Sequence, residues 1–461
     1  MAIRVTPSRI AARARTVTVA IAAAAAACSS SSDNSSTGPN NGPTTCTATS
    51  VTITGAAAMT VGTPLTLAGT VNGTGCASQT ITWSSSDQSA LTVSASGVVT
   101  AVTAGTATIT ATSNGQSSTT TLTSTFAAPS SDTRFGYAWA SDPANASYVA
   151  ATSYELNTAG APITLTHTAT GVYAATFAGL GEAAGQKSNV QVVAYGGASQ
   201  RCNLASSATT GSDLRADVRC FDIATGAPVD TRYDVFVTGQ TALQGRSAFV
   251  VASSLSTANY YAPAATTYTS TRAGVRISRS GTGAYTVTLG GLARGATDGP
   301  ETIQITAIGT TAQYCTNGSW GTSGADLSVS VACFASGGTP ADAPFSLLMV
   351  ERGRTGQRTG FAWTNDATTT VAYAPSAGYA LNSSGGAISS LRTGTGAYTV
   401  TFTGLSRTTA LGETMLVTAY GGVNVSCNVA GWSYPGAFVN VRCYDATGAA
   451  VDSRFTILWV E

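Results

Sequence analysis

The chain has 461 residues, enough for several domains of ordinary size, and charged residues make up only 9% of it. Its net charge is +1, and its acidic and basic residues are scattered singly. Nucleic-acid binding needs a basic surface that neutralises phosphates, so this composition excludes that class of partner. Short, regularly spaced runs of Val, Ile, Leu, Tyr and Phe indicate a folded chain rather than a disordered one.

A short apolar run near the N-terminus predicts export. It follows four arginines, Arg4, Arg9, Arg13 and Arg15. Residues 17–27 are too few to span a bilayer, which is typical of a signal peptide over residues 1–27. The junction resembles the bacterial lipoprotein box, although Ala25 stands where that box usually has Leu, and the resemblance implies a lipid on Cys28. The alternative is ordinary signal cleavage, which leaves Cys28 as a free thiol. Residues 28–45, rich in Ser, Asn, Gly and Pro, would form a flexible tether.

Residues 46–126 contain short alternating strands such as Val51-Thr52-Ile53, separated by glycine turns, which predicts a β-sandwich. The order of motifs resembles the bacterial Ig-like group 2 domain of intimin- and invasin-type surface proteins. The residues that carry the resemblance are Val61-Gly62, Trp83-Ser84-Ser85-Ser86-Asp87, Gly97-Val98-Val99-Thr100-Ala101 and Ala104-Gly105-Thr106-Ala107-Thr108-Ile109-Thr110-Ala111. It implies an extracytoplasmic spacer or adhesion module with Trp83 in its core and no catalytic residue.

The rest of the chain is a threefold repeat, over residues 127–240, 241–352 and 353–461. The segment Gly171-Val172-Tyr173 returns as Gly283-Ala284-Tyr285 and as Gly396-Ala397-Tyr398. In the last copy Tyr398, Val400 and Phe402 lie at alternate positions, which predicts a half-buried strand entered through a glycine turn. Tandem copies of an all-β unit predict three Ig-like β-sandwiches, arranged with the first domain as beads on a string.

The nine cysteines are an odd number for an exported protein, and Cys28 at the signal junction accounts for the odd one. The other eight fall into four pairs within single domains. We predict disulfides between Cys46 and Cys76, Cys202 and Cys220, Cys315 and Cys333, and Cys427 and Cys443. Each bond in the repeats closes a short loop and is worth about 3 kcal/mol in the chain-entropy picture. The cysteines lie too far apart for Cys-x-x-Cys sites, so we predict no metal and no cofactor.

The chain contains only one histidine, His167, and this scarcity argues against a catalytic triad or a zinc site. In register with the other repeats, His167 aligns with Arg279 and Arg392. A position that accepts Arg twice predicts a surface site at a strand end. We therefore predict no catalytic residue in the chain.

Three aspartates also recur in the repeats, Asp230, Asp342 and Asp452. We predict that they cap a strand entry or pair with Arg232 and Arg454. A calcium site is the alternative, but no segment clusters the three carboxylates that calcium coordination needs.

Tryptophans provide the only indication of ligand recognition. Trp139 aligns with Trp363, and Trp320 aligns with Trp432, the last two each five residues after a cysteine. An exposed Trp beside a loop can stack on a sugar ring or anchor a partner protein. The alternative is that these rings cover sandwich ends or fill contacts between domains.

Together these features predict a non-catalytic cell-surface lipoprotein that acts as a structural spacer or an adhesin. Its partners would be a membrane, through the N-terminal lipid, and a surface protein or glycan. Ser29, rather than Asp, follows Cys28, which favours the outer membrane as the place of anchoring. The second hypothesis is a carbohydrate-binding protein that uses the tryptophans. An enzyme is the third, and this composition disfavours it because a cleft with perturbed acids is hard to build.

Overall fold

The computed structural model describes residues 46–60, 64–76, 79–88, 90–101, 105–125, 132–253, 255, 259–262, 266–354, 356–405, 412–433 and 437–461. Nearly all secondary structure in these residues is β-strand, so the predicted all-β fold of tandem sandwiches is confirmed. Two short 3-10 turns, Thr152–Tyr154 and Ala377–Tyr379, are also present. The predicted signal peptide, the lipid-modified Cys28 and the tether lie outside the described residues.

The described residues of the first domain form nine strands. These are β1 (Thr47–Thr54), β2 (Ala58–Thr60), β3 (Leu65–Thr66), β4 (Ala68–Thr74), β5 (Thr82–Ser85), β6 (Leu91–Val93), β7 (Val98–Ala101), β8 (Gly105–Ser113) and β9 (Gln116–Thr125). They are arranged in sheets of order β1-β4, β2-β9-β8-β5 and β3-β7-β6. Leu91, Val99, Ile109 and Leu122 are fully buried between them, and half-buried Trp83 packs against this core.

Each repeat is a sandwich of two sheets. Repeat 1 contains β10 (Phe135–Ala140), β11 (Ser147–Val149), β12 (Glu155–Asn157), β13 (Ile163–Ala169), β14 (Val172–Phe177), β15 (Ser188–Tyr195), β16 (Gln200–Thr210), β17 (Asp213–Asp222) and β18 (Arg232–Gly239). Repeat 2 contains β19 (Gln244–Ala252), β20 (Asn259–Tyr261), β21 (Thr267–Thr269), β22 (Val275–Gly281), β23 (Ala284–Leu289), β24 (Thr302–Ala307), β25 (Tyr314–Ser323), β26 (Asp326–Phe334) and β27 (Phe345–Arg352). Repeat 3 contains β28 (Thr359–Thr364), β29 (Ala380–Asn382), β30 (Ile388–Gly394), β31 (Ala397–Phe402), β32 (Thr414–Tyr420), β33 (Val425–Ser433), β34 (Phe438–Asp445) and β35 (Arg454–Val460).

One sheet of each repeat, the inner sheet, has the order β12-β10-β18-β15, β21-β19-β27-β24 or β29-β28-β35-β32. The other, the disulfide sheet, has the order β11-β13-β14-β17-β16, β20-β22-β23-β26-β25 or β30-β31-β34-β33. The three predicted disulfides of the repeats each link the last two strands of a disulfide sheet. The fourth, between Cys46 and Cys76, is present in the first domain.

The three repeats form a closed ring, and the beads-on-a-string arrangement predicted for them is wrong. The edge strand of each inner sheet runs parallel to the edge strand of a neighbour's disulfide sheet. Tyr195 of repeat 1 pairs with Val429 of repeat 3, and Tyr420 of repeat 3 pairs with Asn317 of repeat 2. The ring closes where Leu204 of repeat 1 meets Ile308 of repeat 2. Sheet edges carry unpaired backbone groups, and closure covers one edge of every sheet in the repeats.

A glycine at each junction makes the backbone hydrogen bond that joins the repeats. Gly196, Gly309 and Gly421 directly follow the paired inner-sheet residues. Their N–H groups donate to the carbonyls of the neighbouring repeat over 2.8, 2.9 and 2.7 Å. Their φ angles are 130°, 148° and 114°, which residues with a Cβ rarely adopt. Glycine therefore allows the chain to turn out of the inner sheet and bond to its neighbour.

Side chains repeat this cyclic pattern. The Asn203 amide of repeat 1 donates to the carbonyls of Thr311 and Gln313 of repeat 2 over 2.9 and 2.7 Å. At the aligned position of repeat 3, the Asn428 amide donates to backbone carbonyls of repeat 1. The Thr316 hydroxyl of repeat 2 donates to the Val423 carbonyl of repeat 3. Each repeat thus holds the loop that leads into the next disulfide-sheet edge.

The centre of the ring is apolar with a few paired polar groups. One hydrophobic cluster joins Phe135 and Phe236 of repeat 1, Leu348 of repeat 2, and Phe361 and Leu458 of repeat 3. Within it, the Thr306 hydroxyl donates to the Gln191 amide oxygen, and the aligned Thr418 hydroxyl donates to that of Gln304. These hydrogen bonds across two junctions satisfy polar groups that would otherwise be costly to bury.

Candidate functional site

The four tryptophans that the sequence analysis named as possible ligand contacts form two pairs, each at a junction between repeats. Trp139 of repeat 1 meets Trp432 of repeat 3, with ring centroids 5.9 Å apart. Trp363 of repeat 3 meets Trp320 of repeat 2 at 6.4 Å. All four side chains are half-buried. The pairs therefore lie across the ring junctions rather than on free loops.

Two tyrosines complete the aromatic cluster at the junction of repeats 1 and 3. The Tyr195 ring lies 5.0 Å from Trp139 and 5.1 Å from Trp432. Tyr154 contacts the same two tryptophans, and these rings meet at steep angles. Arg232 places its guanidinium 5.2 Å from the Tyr195 ring. Edge-to-face contacts of this kind contribute about 0.5–1.5 kcal/mol each beyond their buried area.

The junction of repeats 3 and 2 has the same construction. Tyr379 and Tyr420 each contact both Trp320 and Trp363 over 5.0–5.6 Å. Arg294 lies 4.8 Å from the Tyr379 ring. The Trp320 indole N–H donates to a Glu301 carboxylate oxygen over 3.0 Å.

Among the described residues, the junction of repeats 1 and 2 has no such cluster. In the register of the strands, the positions of the four aromatic residues are held there by Ser207, Val251, Thr266 and Ile308. Ile308 instead packs against the core of repeat 1. Aromatic contacts thus strengthen two of the three junctions, both of them with repeat 3.

His167 lies near the end of β13 and is part of a hydrogen-bonded network. Its side chain is only 17% exposed, and Nε2 lies 3.0 Å from Oδ1 of Asp230. The same oxygen accepts hydrogen bonds from the Gly171 N–H and the Tyr173 hydroxyl. Burial opposes ionisation, but these donors together lower the pKa of Asp230.

The other two repeats place arginine in this network, as the alignment with His167 implies. Arg279 pairs with Asp342, and Arg392 pairs with Asp452. The predicted pairing of these aspartates with Arg232 and Arg454 is therefore wrong. Arg454, like Arg232, lies over a tyrosine ring instead, in this case Tyr420. Arg279 and Arg392 reach the aspartates because they lie on the strand beside the one that carries the tyrosine.

We expect these networks to make the stability of the ring sensitive to acid. The Arg279 guanidinium, with the Tyr285 hydroxyl and the Gly283 N–H, lowers the pKa of Asp342. A carboxylate with a depressed folded-state pKa contributes stability above its unfolded pKa, and this contribution is lost as the pH falls through the folded value. We expect Asp342→Asn to lower the melting temperature at neutral pH and to flatten its decline below about pH 4. Calorimetry across this range measures it, and equal acid slopes in both proteins would refute the assignment.

The cavity at the centre of the ring was not foreseen from the sequence. It has a volume of about 60 Å³ and is lined by the first cysteine of each disulfide in the repeats, Cys202, Cys315 and Cys427. The residue before the first cysteine of each pair also lines it, namely Arg201, Tyr314 and Ser426. In the sequence, these three residues share one feature, which is that each precedes an aligned cysteine. That feature does not predict a cavity, because only the closed ring brings the three positions together.

No group of three or more His, Cys, Asp or Glu side chains that could hold a metal occurs in the described part of the chain. The same residues contain no helix with the length and hydrophobicity that a membrane crossing requires.

The first domain matches a known family. Residues 47–124 match the bacterial Ig-like domain (group 2), as the resemblance of residues 46–126 predicted. Domains of this family occur in bacterial surface proteins, and their all-β Ig-like fold is typically non-catalytic. A comparison with curated proteins finds no match.

Proposed function

We propose that this protein is a non-catalytic lipoprotein of the bacterial cell surface, acting as a spacer or an adhesin. A lipid on Cys28 would hold it to the outer membrane, and residues 28–45 would provide reach. The Ig-like domain would then separate the membrane from the three-repeat ring, which offers the larger surface to a partner. The match of residues 47–124 to a family that occurs in surface proteins carries this proposal.

The disulfides support an exported location. All eight cysteines in the described residues are paired, and such bonds persist in oxidising compartments outside the cytoplasm. Anchoring is tested by Cys28→Ala in cells, which should move the protein out of the membrane fraction. The intact mass of the extracted protein should show acylation at Cys28 and eight thiols released on reduction. A membrane-bound Cys28→Ala protein, or an unlipidated N-terminus, would overturn the anchor.

Adhesion is tested with the purified mature protein and a variant that lacks residues 46–126. Both should adhere equally to cell surfaces if the ring binds the partner. Loss of adhesion in the shortened variant would assign binding to the Ig-like domain instead. If neither protein adheres to any surface in the panel, the adhesin part of the proposal fails and the spacer part stands alone.

The tryptophans give a direct test of the carbohydrate-binding alternative. Because Trp432 packs against Trp139, Tyr154 and Tyr195, we expect Trp432→Ala to lower the free energy of unfolding by about 2 kcal/mol. This is less than the 3–5 kcal/mol typical of a fully buried aromatic residue. Urea unfolding measures it, with Val371→Ala, at a 71% exposed position, as the control. Unchanged stability together with lost retention on a glycan array would favour the carbohydrate-binding hypothesis.

A further inference from the structure

Two buried polar side chains with incompletely paired atoms, Arg201 and Tyr314, meet in the central cavity. Arg201 is 4% exposed, and its Nε finds no acceptor among the described residues. Tyr314 is 5% exposed, and within the described part of the chain its hydroxyl hydrogen-bonds to no polar side chain except that of Arg201 itself. The Arg201 guanidinium lies 4.0 Å from the centre of the Tyr314 ring. Buried polar groups normally have hydrogen-bond partners, so two incompletely paired groups in one cavity need an explanation.

The charge of Arg201 is only partly compensated, by Tyr314 and by the Asp222 carboxylate, which makes no salt bridge with it. Its other two nitrogens donate only to the Ala312 and Ile223 carbonyls, both over a long 3.4 Å. No carboxylate is among the described residues that line the cavity, and the other polar groups there are amides and hydroxyls. Burial lowers the pKa of Arg201 to about 10, so the group is still cationic at neutral pH. A buried cation without a counter-ion in direct contact is unfavourable in a protein interior.

We infer that the central cavity binds a small monovalent inorganic anion of the halide type, held by the Arg201 guanidinium and the Tyr314 hydroxyl. Hydrogen bonds from arginine to anions are among the strongest in proteins, and a phenol adds a second donor. The volume limits the ligand, because about 60 Å³ admits only about four water-sized groups. We therefore expect a small ion rather than a sugar or a larger organic anion, and the single positive charge favours a single negative one.

The position of the cavity connects the anion to the closed ring. Arg201 belongs to repeat 1 and Tyr314 to repeat 2, and Ser426 of repeat 3 lines the same space. An anion between them would bind the assembled ring and not the unfolded chain. Such a ligand stabilises the folded state in proportion to its concentration above the dissociation constant. The junction of repeats 1 and 2, which lacks an aromatic cluster, gains the most from it.

The test uses the full-length mature protein, with chloride replaced stepwise by gluconate at constant ionic strength. We expect the melting temperature to rise with chloride. Tyr314→Phe keeps the ring and removes only the hydroxyl, and it should weaken the apparent chloride affinity at least about tenfold. Arg201→Gln should abolish the dependence. The matched control is Tyr233→Phe, whose hydroxyl is buried and unpaired in the repeat 1 core outside the cavity; its chloride dependence should equal that of the parent.

Bromide gives a readout independent of stability. Crystals soaked in bromide should show an anomalous peak in the central cavity of the parent protein and none in Arg201→Gln. Superimposable melting curves in chloride and gluconate, together with no bromide peak in the cavity, would overturn the inference. Equal chloride dependence in Tyr314→Phe and the parent would remove Tyr314 from the site.

Discussion

A variant that lacks repeat 3, residues 353–461, is expected to lose the cooperative fold of repeats 1 and 2. Two of the three ring junctions involve repeat 3, and both aromatic clusters lie at those junctions. Deletion would expose the edges of β15 and β25, which are then free to pair with other chains. It would also uncover Phe135 and Phe236, which are fully buried against the repeat 3 cluster in the intact ring.

We expect this deletion to lower the stability of the remaining repeats more than the removal of a terminal unit lowers that of a linear array. In such an array each unit contacts only its neighbours, so a terminal deletion costs one interface. In a closed ring, it breaks two interfaces and opens the shared core. Urea unfolding followed by near-ultraviolet circular dichroism should show one cooperative transition for the ring in the full chain, and none in the shortened protein.

Deletion of residues 46–126 is the matched control, because the core of that domain shares no residue with those of the repeats. It should leave the ring transition in place. A protein without repeat 3 that still unfolds cooperatively at the parent midpoint would contradict the closed ring. The same result bears on adhesion, since loss of binding after this deletion would reflect a broken ring rather than a missing binding tip.

The alternation of apolar and polar residues in the sequence was sufficient to predict the strands of the disulfide sheets. In β26 and β34, every second residue is buried, as expected for a strand with one face in a sandwich core. The cysteines at the ends of these alternating runs were correctly paired for the same reason. Local spacing is enough when both partners lie on neighbouring strands of one hairpin.

The ring was not predicted, although the inner sheets carry a signal for it. In β27, the consecutive residues Leu347, Leu348, Met349 and Val350 are all fully buried, and β18 and β35 show the same continuous burial. A strand that is apolar at successive positions is covered on both faces. One face belongs to its own sandwich, and the other must meet another element. The signal predicts a second contact but does not identify the partner.

Few residues in the sequence predict the contacts at the junctions. Parallel pairing of edge strands uses backbone groups, which every residue has, so only Gly196 and its two equivalents mark it. The ion pairs of the aspartates were misassigned because each joins residues that are distant in sequence, as with His167 and Asp230. The nearby Arg232 seemed the simpler partner from spacing alone.

Loss of the Cys427–Cys443 disulfide is the second large effect expected. The bond spans 16 residues, and its removal by the double alanine variant should lower the free energy of unfolding by about 3 kcal/mol, because the unfolded chain regains loop entropy. Cys443 is fully buried and both cysteines belong to the shared core, so the whole ring should melt earlier, rather than repeat 3 alone. Calorimetry can follow the ring and the first domain as separate transitions.

The Cys46–Cys76 pair provides the matched control, since it spans 30 residues in a domain with its own core. Its double alanine variant should lose roughly 3.5 kcal/mol, by the same entropy argument, but only from the first domain. If each double alanine variant lowers the melting temperature of its own transition and leaves the other unchanged, the ring is one cooperative unit and the first domain is an independent one. If the Cys427–Cys443 variant instead melts in steps, with repeats 1 and 2 unfolding at the parent temperature, the three sandwiches are energetically independent despite their shared sheets.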